Sequence, residues 1–436
     1  LSRGLGDVYK RQDHNFYYLT ERMTDNIKSI QPSSMQLNTF EKNKWMYIWE
    51  KKMFDEDGGG YCADVWETPY KAILGCNLVL DYIDEMKGAN ELRENIRGEA
   101  FALRAWYYFH LVNLFGIAYN QGNPDVDLGV PLKVNAIVDG EFFERNTVGE
   151  VYRLIEHDLL EANRLLTAYK YDRNMYRITH LAAKAMLSRM YLYMEDWDNA
   201  LAYADSVLVE KRELIDFNNN PSSTFPYDIA SEEIIWVRKY ATGWTYAPPL
   251  LKESFPVSDD LPKLYGVSEG EWGPVYTDIR GKYYLQRDLY FNTGENMGIR
   301  KGIEYDYGVS NGIRTAELYL NRAEAYIRKY LKDGNDEWRE KALADLNALR
   351  KNRIETNYYE EVNIMDGQEL LQFCLDERRR ELCGESCHRW GDLRRLGMTV
   401  IHKLYDSGYE YKQDMKYYVL PIPKRIREQN PALVQN

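Results

Sequence analysis

The stretch from Thr179 to Leu208 constrains the fold more than any other part of the chain. Two apolar periods of 3.6 residues lie there in succession. Ser188, Ala200 and Ala204 fall where two antiparallel helices would cross, with Leu187 and Tyr191 beside them. Small side chains at a crossing let the two backbones approach closely, and Tyr191 fills the adjacent groove. Asp196-Trp197-Asp198 supplies the turn. One such pair cannot bury both of its faces alone, so neighbouring helices are required.

Those neighbours are legible. Leu103, Trp106, Tyr107, Leu111, Leu114 and Phe115 form one stripe of a helix, with Gly116 as its expected C-cap. A second helix is predicted from about Val148 to Leu166, with Val151, Leu154, Ile155, Leu159, Ala162 and Leu166 inward. Ala316, Tyr319, Ala323 and Tyr326 share a face in RTAELYLNRAEAYIRK, and KALADLNALRKNR returns after an insertion. A weaker pair spans Trp66 to Asp84 and Leu92 to Phe115. The offsets within Thr179–Leu208 match much of the tetratricopeptide pattern, so the expectation is a mainly α scaffold of stacked helical pairs.

Residues 216–312 differ. They are rich in Gly, Pro, Asn and Tyr, with short strands expected at 234–238 and 283–285. Long irregular segments inside compact domains are often functional. Composition narrows the function. The net charge of −12 argues against a phosphate-binding surface, since nucleic-acid binders cluster Lys and Arg. Hydrophobic residues reach 44%, which is not the composition of disorder. The 37 Tyr exceed ordinary core needs and point to contact surfaces with an apolar face and a hydroxyl edge. No run is long and apolar enough to span a bilayer as a helix.

Three ordered signatures join the helical ones. They are RGEAFALRAWYYFHLVNLFG (residues 97–116) with GVPL at 129–132, LDERRRELCGESCHRWGDLRRLG (375–397) and YYVLPIPKRIREQNPALVQN (417–436). With RTAELYLNRAEAYIRK, the chain resembles the SusD/RagB family, the starch-binding SusD-like lipoproteins of the outer membrane in Bacteroidetes-type bacteria. The resemblance implies a tetratricopeptide-like scaffold under an irregular, loop-rich outer layer with a few short strands. It implies a lipid-anchored protein facing the cell exterior, seated on a SusC-like TonB-dependent transporter and capturing an oligosaccharide or other nutrient. It implies no enzyme activity, cofactor or nucleic-acid partner. Residues 1–12 read as a non-native scar, 13–215 as the N-terminal helical region, and 216–436 as the C-terminal region, loop-rich over 216–312 and helical over 313–436. The family's signal peptide and lipidated Cys are absent, so the chain reads as a truncated lipoprotein.

The residues around 386–388 depart from the family pattern, with Ser386-Cys387 where one Gly more often precedes the His. Glu377, Arg378, Glu381, Arg389 and Asp392 are expected to form an ion-paired junction that locks the C-terminal region. The five Cys contain no CxxC pair, and Cys383 and Cys387 read as thiols within a packed segment, with no metal site. Gly266-Val267-Ser268-Glu269-Gly270 matches the hydrolase nucleophile elbow, but Trp272-Gly273-Pro274 breaks the helix that must follow. Asp259-Asp260 and Asp55-Glu56-Asp57 read as solvated acidic runs; adjacency in sequence does not build a glycosidase cleft. His110 reads as a packing residue on its aromatic helix.

Aromatic surfaces remain. Sugars present apolar C–H faces and hydroxyl edges, which Trp or Tyr rings with a few polar neighbours can hold. Two regions qualify: Tyr61 after Gly58-Gly59-Gly60, and Trp244, Tyr246, Trp272 and Tyr276 in the irregular layer. Trp45 and Trp49, at i and i+4, read as core, and Trp66 as structural. The leading expectation is a non-enzymatic capture protein. Its rivals are a structural lid with little ligand affinity and, less favoured by the residues, a surface glycoside hydrolase.

Overall fold

A computed structural model describes residues 20–34, 36–55, 64–138, 140–171, 175–219, 226, 231–237, 254–270, 273–287, 297–299, 301, 312–414 and 418–436. Helix α1 spans Leu37–Tyr47, α2 Asp64–Tyr82, α3 Asn90–Phe115, α4 Val148–Ala168, α5 His180–Met194 and α6 Trp197–Glu210. After the irregular layer come α9 (Thr315–Asp333), α10 (Asp336–Lys351), α11 (Gly367–Leu382), α12 (His388–Arg395) and α13 (Lys424–Gln429). Among its described residues the layer holds two short helices, α7 (Asp260–Lys263) and α8 (Ile279–Tyr284). The chain is mainly helical, as its periodicity predicts.

The helices stack in order. α2 packs on α3, α3 on α4, α4 on α5 and α5 on α6. The next neighbour of α6 is α9, which also carries α10 and α11. The stack therefore continues across the irregular layer as though nothing intervened. The α5–α6 crossing is built as its small residues require. Ala200 and Ala204 are fully buried, and Ser188 donates its hydroxyl to the Ala200 carbonyl at 2.9 Å. Asp196 caps α6 by accepting from the Asn199 N–H. At α4, Thr147 and Glu150 form a reciprocal capping box that satisfies the first free N–H groups.

Helix α3 exceeds its expected single stripe. From Asn95 onward it is buried on nearly every side, and polar residues there have partners in the core. Arg104 makes a bidentate pair with Asp158 (2.7 and 2.8 Å) and bonds Asn77, while Asn113 bonds Tyr152. His110 sits edge-on to Trp106 and Phe109, the packing role its position suggested. Gly116 does end this helix, but with φ −109° and not in the left-handed cap expected of glycine. Its value is close approach: a Cβ there would lie 3.0 Å from the Val112 carbonyl oxygen and 3.3 Å from the Gly129 Cα. Arg394 closes the end by donating to the Asn113 and Gly116 carbonyls, the free acceptors of the last turn. Burial pulls its pKa down to about 10.

Four two-stranded antiparallel sheets complete the described residues. β1 (Ile234–Val237) pairs with β6 (Gly312–Arg314), and this pair closes the neck of the irregular layer. Within the layer, β2 (Val267–Gly270) pairs with β3 (Gly273–Tyr276), and β4 (Leu285–Arg287) with β5 (Met297–Ile299). β7 (Val400–Lys403) pairs with β8 (Glu410–Gln413) near the end of the chain. The strand expected at 283–285 is a correction: Tyr283 and Tyr284 end α8, and only Leu285 enters a strand. Asp278 starts that helix by accepting from the Arg280 N–H, and Arg280 and Tyr284 are buried one turn apart. Trp49 is core, as expected, but by another route. α1 stops at Tyr47, and Trp49 lies beyond it at φ 54°, buried, with its indole donating to the Met23 carbonyl at 3.2 Å. Trp45 packs partly buried against the same core.

Candidate functional site

The irregular layer is fixed to the scaffold by charge. Arg280 on α8 reaches Asp278, Glu377 (2.7 Å) and Glu381 (2.8 Å). Arg314, which ends β6, reaches Glu233 (2.7 Å), Glu381 (2.5 Å) and Glu385 (2.8 Å). Arg353 joins Glu381 (3.1 Å) to Glu233, Lys301 pairs with Glu385, and Arg380 with Glu377. Five cations thus face five carboxylates, nearly all out of contact with water. Burial would raise the Glu381 pKa, but Arg353, Arg314 and Arg280 outweigh it and hold the carboxyl well below its usual range. Burial raises Asp278 instead, against the pull of Arg280. Planar guanidinium forks suit such sites because each can bridge two carboxylates.

The expected junction is present but differently wired. Arg378 and Asp392 pair with each other at 2.9 Å, and Asp392 and Glu324 share Arg395. Glu377 and Glu381 turn away from that pair to anchor the irregular layer. Arg389 reaches back to Asp25 at 2.6 Å, tying the N-terminal segment down. The Ser386-Cys387 departure accounts for part of this geometry. Both residues adopt positive φ, 42° and 62°, in the turn between Glu385 and α12. The Ser386 hydroxyl lies within hydrogen-bonding distance of the Gly312 N–H and carbonyl. His388 opens α12 fully buried, and burial together with Arg189 and Arg378 holds its pKa well below the usual imidazole range. It is a neutral core residue.

Of the aromatic residues singled out from sequence, Tyr276 is placed; Tyr61, Trp244, Tyr246 and Trp272 lie outside the described residues. Tyr276 ends β3, half-buried, opposite Val267. Its ring lies over Gly281, where a Cβ would come within 2.4 Å of the ring, so only glycine lets the β2–β3 hairpin rest on α8. Val275, the preceding residue, is exposed. The layer's own core carries this hairpin: Phe255, Leu261, Tyr265 and Tyr284 pack with Phe40 and Tyr47 of α1. Ser268, of the elbow-like match, is exposed on hairpin strand β2 and is followed by a second strand, not a helix. Asp259 and Asp260 are exposed and pair with Lys28 and Lys263.

A further aromatic surface was not anticipated. The β7–β8 hairpin carries Tyr409 and Tyr411, whose rings meet at 5.0 Å and 72°. Beneath them His402 is stacked between Tyr47 (3.9 Å) and Trp49 (4.4 Å), with its ring nitrogens 2.6 and 2.9 Å from the Tyr47 and Thr24 carbonyl oxygens. The alternating Tyr of Tyr409-Glu410-Tyr411 is the sequence signal that could have found it.

Residues 3–192 match a family model described as "Starch-binding associating with outer membrane", and residues 297–436 match the SusD family model. SusD-like protein P25 of Formosa agariphila is 21% identical over 438 residues, covering 86% of this chain and 78% of that protein. A SusD superfamily protein from Bacteroides thetaiotaomicron superposes with a TM-score of 0.78 at 22% identity, covering 100% of this chain and 98% of the other. A SusD-like carbohydrate binding protein from Bacteroides vulgatus gives 0.75 at 23%, covering 99% and 96%. No helix among the described residues is long and apolar enough to cross a membrane. Two matches in chain order, the second beginning within the irregular layer, on a shared helical fold, place this chain in the SusD/RagB family.

Proposed function

We propose that this protein binds oligosaccharides at the outer surface of the outer membrane and passes them to a SusC-like TonB-dependent transporter. It does so by equilibrium binding, without bond chemistry, and is held at the membrane by an N-terminal lipid. The observation that carries the reading is the match of residues 3–192 to a model described as starch-binding. The carbohydrate-binding description of the Bacteroides vulgatus structure supports it. The physical argument is complementary. An acidic chain with a net charge of −12 suits an uncharged ligand, and a layer pinned by buried ion pairs can hold aromatic rings in a preformed arrangement. The residues proposed to contact the sugar are Tyr61, Trp244, Tyr246, Trp272 and Tyr276.

Native affinity gels containing soluble starch, laminarin, xylan or pectin test this, with titration calorimetry on whichever polymer retards the protein. At least one polymer is expected to retard it, and the Trp244→Ala, Trp272→Ala double variant to lose most of that retardation. Retention of peptides with no retardation by any glycan would overturn the carbohydrate reading.

A further inference from the structure

We infer that Tyr409 and Tyr411 form a second contact point for a pyranose ring, on the β7–β8 hairpin. The inference rests on the glycan-binding reading above and names a part of the surface that reading does not use.

Tyr411 lies in β8 and shares one face of the hairpin with Gln413, while Tyr409 stands just before the strand with its ring against that of Tyr411. That face is the buried one. It carries Val400, His402 and Gln413 inward, and Tyr411 packs partly buried against the main core. Tyr409, at the end of the turn, meets water and is 66% exposed. The two rings therefore make a corner: Tyr411 is a fixed wall, and Tyr409 is an open plate set at 72° to it. A sugar ring can lie flat on the plate with its C–H face and meet the wall edge-on. Lys403 and Glu410 pair with each other at 2.8 Å on the opposite, exposed face of the hairpin, which leaves the corner itself aromatic.

The corner is held rigidly. His402 is clamped between Tyr47 and Trp49, the Tyr47 hydroxyl donates to the Lys403 carbonyl at 3.2 Å, and the Tyr405 N–H donates to Ser29 Oγ at 3.3 Å. The Tyr409 N–H donates to Ser407 Oγ at 3.0 Å, which fixes the turn. A ring fixed before binding loses little freedom on contact. Size points to the same occupant. A stable protein partner needs about 800 Å² on each side, many times the area of two phenol rings, whereas one sugar ring needs no more than these offer.

Tyr409→Ala removes the plate and leaves the wall and its core contacts. Tyr409→Phe keeps the plate. In native gels containing starch, laminarin, xylan or pectin, the alanine variant is expected to bind the retarding polymer about fivefold more weakly, as the loss of one stacking contact implies. The phenylalanine variant is expected within about twofold of the parent, and both should keep the parent's melting temperature. Equal retardation of parent and Tyr409→Ala would overturn the inference while leaving glycan binding intact. Retardation of the parent by no polymer would overturn the glycan reading, and this inference with it.

Discussion

The helical stack and the irregular layer are held by opposite means. At the α5–α6 crossing, Ala200 and Ala204 bring backbones together, and the stabilising surface is apolar and short in sequence range. In the layer, regular structure is brief, and Arg280, Arg314, Lys301 and Arg353 fasten it through the buried carboxylates of Glu233 before β1, Glu381 in α11 and Glu385 after it. A helix satisfies its own backbone and needs only a partner for its face. An irregular segment needs its position specified from outside, and directional ion pairs with fixed partners do that. A buried pair adds little stability over a well-packed apolar pair, but losing one member is costly, because the other charge is stranded.

The sharpest way to break this contrast is Glu381→Gln, which takes one buried carboxylate from Arg280, Arg314 and Arg353 at once. A loss of about 3–5 kcal/mol is expected in urea denaturation. Amide hydrogen exchange in the layer, at Tyr265 and Tyr284, should lose protection at lower urea than the far-ultraviolet helical signal is lost. Coincident loss of both would mean that the layer and the stack are one cooperative unit, and the contrast would fail. Glu324, fully buried against Arg395, offers a second test, in acid. Burial raises its pKa, but Arg395 and Arg328 outweigh this and lower it to about 2. A carboxyl depressed in the folded state contributes stability above its ordinary pKa near 4.5 and loses it as pH falls toward 2. The contribution is roughly 3 kcal/mol. Glu324→Gln should therefore flatten the decline in unfolding free energy between pH 5 and 2, and an unchanged slope would refute the assignment. The smallest effect is expected in the stack itself. Ala204→Leu overfills the α5–α6 crossing and should cost about 1–3 kcal/mol in urea midpoint. It should shift the layer's exchange transition and the far-ultraviolet transition equally, and a shift confined to the layer's amides would place the disturbance in the wrong region.

The same contrast explains what could be read from sequence. Leu187, Ser188, Tyr191, Ala200 and Ala204 declare a helical pair because every informative contact lies within about one repeat of its partner. Arg280 declares nothing. Its partners Glu377 and Glu381 stand about a hundred positions away, and no local period marks them. Five residues of the C-terminal motif were recognisable as ion-pairing, yet their wiring was not, since Glu381 binds arginines from three different segments. Trp49 was assigned to the core by a helical spacing that the chain does not keep, because the helix stops at Tyr47. Tyr409 escaped notice because it precedes a strand of only four residues, too short for alternation to stand out against a chain containing 37 Tyr.

The pairing of Val237 with Gly312 bears on how such a protein diversifies. The chain leaves and rejoins the scaffold across a single strand spacing, so the span between is a closed loop whose ends are already paid for. Closure entropy grows only with the logarithm of length, and ten more residues there would cost about 0.1 kcal/mol. Insertions, deletions and exchanges between the ion-paired pins therefore scarcely tax the helices beneath. The same helical frame tolerates different spans between Val237 and Gly312 at little energetic cost to itself.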